Sequence, residues 1–352
     1  MPANVMGEHP TVAIVVPNYN HAAHLAQSLA SIAAQTRAPD EVLIIDDAST
    51  DDSLAVIADF IARHPTWRVI KRDERLGVVA GQNEAFKHLK TDWISCLGAD
   101  DLLHPTYVEK TMRRAAEQPN CNFVCDCVEL IGIVGTNKLR PILLPALKPC
   151  YISPGEYRRL LDTGDNYFVG TVTLFRRQAV LDAGSLDPLL ESLADGILAR
   201  QLAIRGGFYF IPEVLGYWRL HGTNYSTAMV TQAADIDPLL VRVRSAIAAE
   251  PGGNFPARYD ETLDRRIRYG GSRILASDPQ LPATERADRI AGILRAAPWE
   301  RMLLATILAM GRLGRIAALV WLTLRMRPLS LKTFLSQRRA RRTILATQDS
   351  RV

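Results

Sequence analysis

Four short apolar runs punctuate the first hundred residues: Val12-Ala13-Ile14-Val15-Val16, Val42-Leu43-Ile44-Ile45, Trp67-Arg68-Val69-Ile70-Lys71 and Trp93-Ile94-Ser95-Cys96-Leu97. Runs of this kind, rich in β-branched residues, read as buried strands of a parallel sheet. Between them, residues 24–34, 53–63 and 77–89 read as helices, with Leu25, Leu29 and Ile32 sharing one face of the first. Strand and helix in strict alternation predict an α/β domain, a parallel sheet covered on both faces.

Further along, the pattern is less regular. Residues 122–131 have strand character. Residues 153–162 read as a helix with Ser153 as N-cap, Pro154 in its first turn and Glu156 as the reciprocal capping-box residue. A strand is expected over 169–177, a short helix over 179–184, and a helix over 193–207 stopped by Gly206-Gly207. No element is assigned to 135–150. Beyond residue 228 the chain reads as helical: 241–249, 258–276 with a break at Gly270-Gly271, and 283–297. The most apolar segment, 302–324, follows Pro298-Trp299 and has the length to span a bilayer. Arg312 and Arg315, on one face within it, make spanning costly. They suit a helix lying on anionic lipid, or one packed on the body of the protein or on a second subunit.

Acids stand where two of the early strands end. Asp46-Asp47 follows the second, and Asp100-Asp101 follows the fourth through Leu97-Gly98-Ala99. In open α/β sheets ligands bind in the crevice outside the carboxyl ends of the strands. Two adjacent carboxylates there repel each other, and a divalent cation with oxygen ligands is the usual remedy. The alternative is that Asp101 caps the turn that begins near Leu102. No Gly-x-Gly-x-x-Gly follows the first strand, so a dinucleotide fingerprint is absent. Cys121-x-x-x-Cys125-x-Cys127 lacks a second Cys or His pair at zinc spacing and reads as packed core, with Cys125 and Cys127 on one strand face and Asp126 on the other.

Composition narrows the classes. With 48% hydrophobic and 22% charged residues in 352, the chain is an ordinary globular one. Seven basic residues and no acid fall in 325–342, and without them the net charge of +5 becomes −2. A nucleic-acid groove in the body is therefore not expected; a basic tail points to a membrane surface or a solvated end. The odd cysteine count of five fits reduced thiols. Residues 1–10 are polar and lack the apolar core of an export signal, so the expected location is cytoplasmic, peripheral on the inner face of the membrane if the basic helix binds lipid.

Three ordered motifs carry a resemblance. Val15-Val16-Pro17-Asn18-Tyr19-Asn20, then Ser28-x-x-Ser31-Ile32-x-x-Gln35-Thr36, then Glu41-Val42-x-Ile44-Ile45-Asp46-Asp47-Ala48-Ser49-Thr50-Asp51, with Ala99-Asp100-Asp101 at the expected distance, resemble a family 2 glycosyltransferase of GT-A fold. The resemblance runs from about 11 to 225. It implies a Rossmann-like, mainly parallel sheet with flanking helices, followed by a C-terminal helical extension. The implied organisation is a tail (1–10), a GT-A domain (11–227) with a nucleotide-binding half (11–101) and an acceptor half (102–227), a helical extension (228–297), and an amphipathic, basic C-terminal part (298–352).

The same resemblance implies an inverting, metal-dependent glycosyltransferase using a nucleotide-diphosphate-sugar, with UDP favoured and Mn2+ or Mg2+ as cofactor. The acceptor would be a saccharide or lipid-linked saccharide, in synthesis of a bacterial surface polysaccharide or glycolipid. Pro17, Asn18 and Tyr19 would line the nucleoside pocket and Asp47 would bond the base. Asp100 would face the ribose or metal, Asp101 would hold the ion, and His221 would complete the metal shell or contact the diphosphate, against a purely structural role. Asp195 would be the general base that takes the acceptor proton, or else an N-cap, with Asp187 a weaker alternative base. Asn224-Tyr225-Ser226 would lie on a flap. The chain departs from the family at Gly98, where an acid is common, at Ala194, also commonly acidic, and at Ala80-Gly81-Gln82-Asn83, where Ala-Arg-Asn is common; Arg75 is the candidate replacement for that arginine. Two other readings stand beside this one: a sugar nucleotidyltransferase, and a non-catalytic nucleotide-sugar-binding module. A homo-oligomer, and an anionic membrane met through 298–342, complete the expected partners.

Overall fold

In a computed structural model of the chain, the described residues are 10–132, 139–141, 143–165, 167–170, 172–220, 233–327 and 331–349. The apolar runs form the strands expected of them. β1 (Val12–Asn18), β2 (Glu41–Asp46), β3 (Trp67–Lys71) and β4 (Trp93–Cys96) alternate with α1 (Ala22–Ala33), α2 (Ser53–Arg63) and α3 (Val78–His88). β1 lies between β2 and β4, with β3 outside β2, and all three pairings are parallel. Val12 to Val16 are fully buried, because parallel strands are covered on both faces.

The sheet then continues in mixed fashion. β5 (Leu102–Leu103), α4 (Tyr107–Glu117), β6 (Phe123–Ile131), β7 (Leu139–Arg140) and β8 (Cys150–Ile152) precede α5 (Pro154–Thr163), β9 (Leu174–Arg176) and α6 (Arg177–Asp182). A 3-10 helix (Pro188–Leu193), α7 (Ala194–Gly206) and β10 (Phe208–Arg219) complete it. The strand order is β3-β2-β1-β4-β9-β6-β10-β5, with β7 on β6 and β8 on β10. β9 is antiparallel to both its neighbours, while β6 and β10 are parallel. The capping box forms as expected: the Ser153 N–H donates to Glu156, and the Glu156 N–H to Ser153 Oγ.

The chain divides into two compact units: Met1–Arg159 with Asn166–Leu220 and Gln337–Val352, and Leu160–Asp165 with His221–Ser336. The second unit is built of α8 (Ala233–Ala248), α9 (Tyr259–Ser277), α10 (Ala283–Leu294), α11 (Pro298–Ala309) and α12 (Gly311–Met326), around Ile236, Leu240, Leu275, Ile290, Leu304 and Leu322. The last helix is α13 (Leu331–Asp349), whose residues from Gln337 onward belong to the first unit.

Several expectations change. The strand expected over 169–177 shortens to Leu174–Arg176, because Val172 adopts φ 59° and turns the chain out of the pleat. The break expected at Gly270-Gly271 is absent: α9 is continuous, and Gly271 and Ser272 are buried in its packing face. The apolar segment 302–324 is two helices rather than one. Gly311, at φ 64°, separates them, and Gly314 sits so close to the Ile307 carbonyl that a Cβ there would be 1.8 Å from its oxygen. No helix among the described residues is long and apolar enough to cross a membrane. Part of the basic tail is also committed inside the first unit: the Leu144 N–H donates to Gln337, Arg341 donates to the Leu139 carbonyl, and Ile344 is buried. His221 and Asn224-Tyr225-Ser226 lie outside the described residues.

Cys121, Cys125 and Cys127 are packed core, with thiols pushed up by burial. Asp126 between them is 2% exposed, and neither carboxyl oxygen has a full hydrogen bond, the Leu215 backbone offering only a weak one. Burial drives its pKa well above the usual range, with Glu213 adding to the effect. The folded state therefore keeps Asp126 protonated. Stability is complete below the unfolded-state pKa of about 3.9 and falls as pH rises, because only the unfolded chain then releases the proton. Asp126→Asn removes that loss. The expected result is a flatter dependence of Tm on pH above 4, and at pH 8 a Tm about 2–4 °C above that of the parent chain, read by calorimetry across the pH range.

Candidate functional site

The site is built at the carboxyl ends of β1, β2 and β4. The loops after β1 and β2 lock each other. Asn18 donates to Asp46 (2.8 Å) and to Ser49 Oγ (3.1 Å), and the Ser49 N–H donates to Asp46 (3.0 Å). Asn20, at φ 56°, accepts from the Thr50 N–H (2.7 Å), while Asp51 accepts from the first amides of both following helices, Ala22 (2.9 Å) and Ser53 (3.0 Å). One turn-forming side chain from each loop thus satisfies the amides of the other. Asp46 is an internal brace, and the following residue faces the crevice loops.

Asp47 accepts from the amides of Leu76 (2.9 Å) and Gly77 (2.8 Å) and from Arg72 (2.9 Å). Burial alone would raise its pKa, but the Leu76 amide, the Arg72 guanidinium and the Gly77 amide together hold it below the ordinary value. The carboxylate expected to meet a base is also the anchor of the 75–77 loop. Arg72 went unnoticed in the sequence, where it stands in an unremarkable Lys71-Arg72-Asp73. It is buried and bridges Asp47 to Glu84 on α3. On the same loop, the Arg75 guanidinium lies 4.0 Å from the centre of the Tyr19 ring, so these two candidates form one stacked surface beside Pro17 and Asn18.

The acid-bearing segment after β4 is tethered by α1. Ser28 Oγ donates to the Gly98 carbonyl (3.2 Å), and Ser31 Oγ accepts from the Leu103 amide (3.1 Å). Gln35 donates to the His104 carbonyl (2.9 Å) and accepts from the Val108 amide (3.0 Å), and the Thr36 amide donates to the Pro105 carbonyl (2.8 Å). From β10, the Arg219 amide donates to Asp101 Oδ1 (2.9 Å) and its side chain to the Asp100 carbonyl (2.9 Å). Arg219 is thus a clamp on the acid-bearing segment.

Asp100 Oδ1 and Asp101 Oδ2 each lie 2.9 Å from the point where a Cβ on Gly98 would stand. The two oxygens converge over the one residue that leaves the space open. This donor set, hard oxygens in a cradle that any side chain would fill, fits a magnesium-like or manganese-like ion. Among the described residues no three His, Cys, Asp or Glu side chains gather into a metal cluster.

Asp195 stands in the first turn of α7; the N-cap position is taken by Leu193. The residue keeps partial exposure, while its carboxylate is enclosed by protein. Burial raises its pKa, opposed by the Gly196 amide (2.6 Å) and by Arg200. It lies close enough to Cys96, the last residue of β4, to act with burial in pushing that thiol up to about 12. The strand that delivers Asp100 and Asp101 therefore also ends beside Asp195. Gly170 makes room for it: a Cβ at 170 would stand 1.7 Å from Asp195 Oδ2. Val172 is held in its strained conformation against Gly216, whose missing Cβ would meet it at 2.6 Å. Asp187, by contrast, accepts from the Leu189 amide (2.9 Å) and caps the 3-10 helix. A cavity of about 600 Å³ in the second unit, lined by Asp288, Pro298, Arg301 and Met302, contains none of these residues; its Arg301 and Asp288 neutralise each other.

Residues 13–183 match the family described as Glycosyl transferase family 2. An uncharacterized glycosyltransferase of Nostoc sp. is 25% identical over 306 residues, 80% of this chain and 94% of that one. Among solved structures, Staphylococcus aureus TarS 1-349 in complex with UDP superposes with a TM-score of 0.58 at 14% identity, covering 90% of this chain and 91% of that one. The mannosyltransferase PcManGT from Pyrobaculum calidifontis, in complex with GDP-Man and Mn2+, gives a TM-score of 0.54 at 20% identity, covering 91% and 90%. The fold is of GT-A type, with a C-terminal helical region.

Removing Arg72 leaves the buried Asp47 carboxylate without its cation. Arg72→Met is expected to cost about 3 kcal/mol in urea unfolding. Protease cleavage within 72–77 should rise in parallel. An unfolding curve superimposable on that of the parent chain would show the bridge to be idle.

Proposed function

The chain belongs to glycosyl transferase family 2 through residues 13–183, and on that premise we propose that it is an inverting, metal-dependent transferase. It moves a sugar from a nucleotide-diphosphate-sugar, a UDP-sugar in the first instance, to a hydroxyl of a saccharide or lipid-linked saccharide. The setting is synthesis of a bacterial surface polysaccharide or glycolipid. The observation that carries the reading is the convergence of the Asp100 and Asp101 carboxylates over Gly98 at the end of β4, whose last residue, Cys96, feels the charge of Asp195.

The stacked Tyr19 and Arg75 offer a face for the base, with Asp47 fixing the loop that presents Arg75. Asp100 and Asp101 would hold the ion beside the donor diphosphate; when bound, it neutralises the charge that develops on the departing nucleoside diphosphate. Asp195 takes the proton from the acceptor hydroxyl. The acceptor oxygen then bonds to the anomeric carbon from the face opposite the diphosphate, as the bond from that carbon to the phosphate oxygen breaks. The configuration inverts. Burial raises the proton affinity of Asp195 and so its strength as a base, while Arg200 and the Gly196 amide oppose that rise.

Three measurements test this. A thermal-shift panel of nucleoside diphosphates, with and without Mn2+, is expected to give metal-dependent stabilisation by UDP above the others, equivalent to about 2.7 kcal/mol at a hundredfold excess over Kd. Preference for GDP would change the donor and keep the class; silence toward every nucleotide would remove the donor site. Asp195→Asn is expected to lower kcat by about 10²–10⁴-fold while the nucleotide shift persists, and Gly170→Ala, which displaces the same carboxylate, should follow it in direction. Unchanged turnover in Asp195→Asn would assign the base elsewhere. The acidic limb of kcat/KM should lie above the ordinary aspartate range and move higher still in Arg200→Met, since loss of that cation favours the protonated form of Asp195.

A further inference from the structure

α12 is apolar on two opposite faces. Gly314, Ala318, Leu322 and Met326, spaced by four, face the core of the helical unit. On the other side Leu313, Ile316, Val320 and Leu324 are 72%, 54%, 53% and 68% exposed. At about 100° per residue these four form one stripe opposite the buried one. A surface helix normally turns polar residues outward, so an uncovered apolar face calls for a partner. The stripe is not an isolated accident. Nine of the fourteen large hydrophobics exposed among the described residues fall between Trp299 and Leu335.

Charge identifies the partner. From Arg301 to Gln348 the sequence holds ten basic residues and no acid. Arg301 pairs with Asp288 and Arg325 with Glu300. Arg312, Arg315 and Arg327 have no ion-pair partner among the described residues. On the helix, Arg312 lies beside the Ile316 border of the exposed stripe, and Arg327 follows the last turn as the C-cap. A second copy seated on this face would bring arginine against arginine with no carboxylate between them. An anionic bilayer offers what both features require: acyl chains for the stripe, and phosphate oxygens for guanidiniums whose stems lie along it.

We propose that the Leu313–Leu324 face of α12 is a membrane-docking surface that lies in the headgroup region of an anionic bilayer without crossing it. The surface is independent of the transferase reading, since it uses none of the residues of the candidate site. It also draws the boundary more narrowly than the basic tail alone would, because Arg341 is engaged within the first unit.

The test is flotation of the full chain with vesicles of phosphatidylcholine alone and with about one-third phosphatidylglycerol. Recovery is expected with the anionic vesicles, weak recovery with the neutral ones, and a loss as salt rises. Leu313→Glu/Leu324→Glu changes only exposed positions. It is expected to lower vesicle affinity at least tenfold with an unchanged circular-dichroism melt, and Arg312→Glu/Arg327→Glu should erase the preference for anionic lipid. Three results would overturn the proposal: equal recovery of the parent chain and the Leu313→Glu/Leu324→Glu variant, no recovery of the parent chain with either vesicle, or a dimer by light scattering that this variant dissolves. The last would give the face to a second copy.

Discussion

Hydrogen bonds, most of them part-buried, running from α1 and the residues just after it to the segment that leaves β4 hold the acid-bearing side of the crevice. Two neighbouring carboxylates push apart, and a loop carrying them swings outward unless its backbone is tied. Ser28, Ser31, Gln35 and Thr36 supply those ties, each meeting a carbonyl or amide between Gly98 and Val108. A single bond of this kind contributes about 1 kcal/mol net, but a buried backbone group left unpaired costs about 1–3 kcal/mol. The set is therefore held more by the penalty for breaking it than by the gain in forming it. Because α1 follows directly on the β1 loop, the same helix couples the Tyr19 surface to the acid segment.

Three aspartates, two buried and one partly exposed, show how far environment, rather than residue type, sets chemistry. Asp47 gathers two amides and a guanidinium, which hold its pKa down. Asp126 gathers almost nothing, and burial drives its pKa up. Asp195 lies between them, raised by burial yet opposed by one amide and one arginine. The first braces a loop and the second taxes stability, whereas the third combines a raised proton affinity with partial exposure of the residue.

Much of this was legible in the sequence, and the reasons are local. β1, β2 and β4 announce themselves because strands buried on both faces are mostly apolar, whereas β3 is only half-buried and carries Arg68 and Lys71; the Ser153–Glu156 box is legible because its partners are three residues apart. The motif Ser28-x-x-Ser31-Ile32-x-x-Gln35-Thr36 was legible as a resemblance, although its work is to tether a segment about seventy residues away. Arg72, Arg219, Gly170 and Val172 were not legible, since each acts on a partner distant in the chain and carries no local signature. The helix break at Gly311 was hidden for a different reason: the segments on either side are both mostly apolar, with Arg312 and Arg315 fitting a continuous helix as well as a broken one, and the close approach of Gly314 to Ile307 marks where the chain turns. The continuous α9 shows the converse, packing overriding two weak helix formers at Gly270 and Gly271.

Gly98 bears on what this site can carry. Asp101 is buried and fixed by the Arg219 amide, and Asp100 shares the space above residue 98. A side chain at 98 would meet both carboxylate ends at once, and at least one of them would have to turn aside. The glycine therefore works as a spacer: its emptiness, rather than any group it offers, is what lets two like charges share one point.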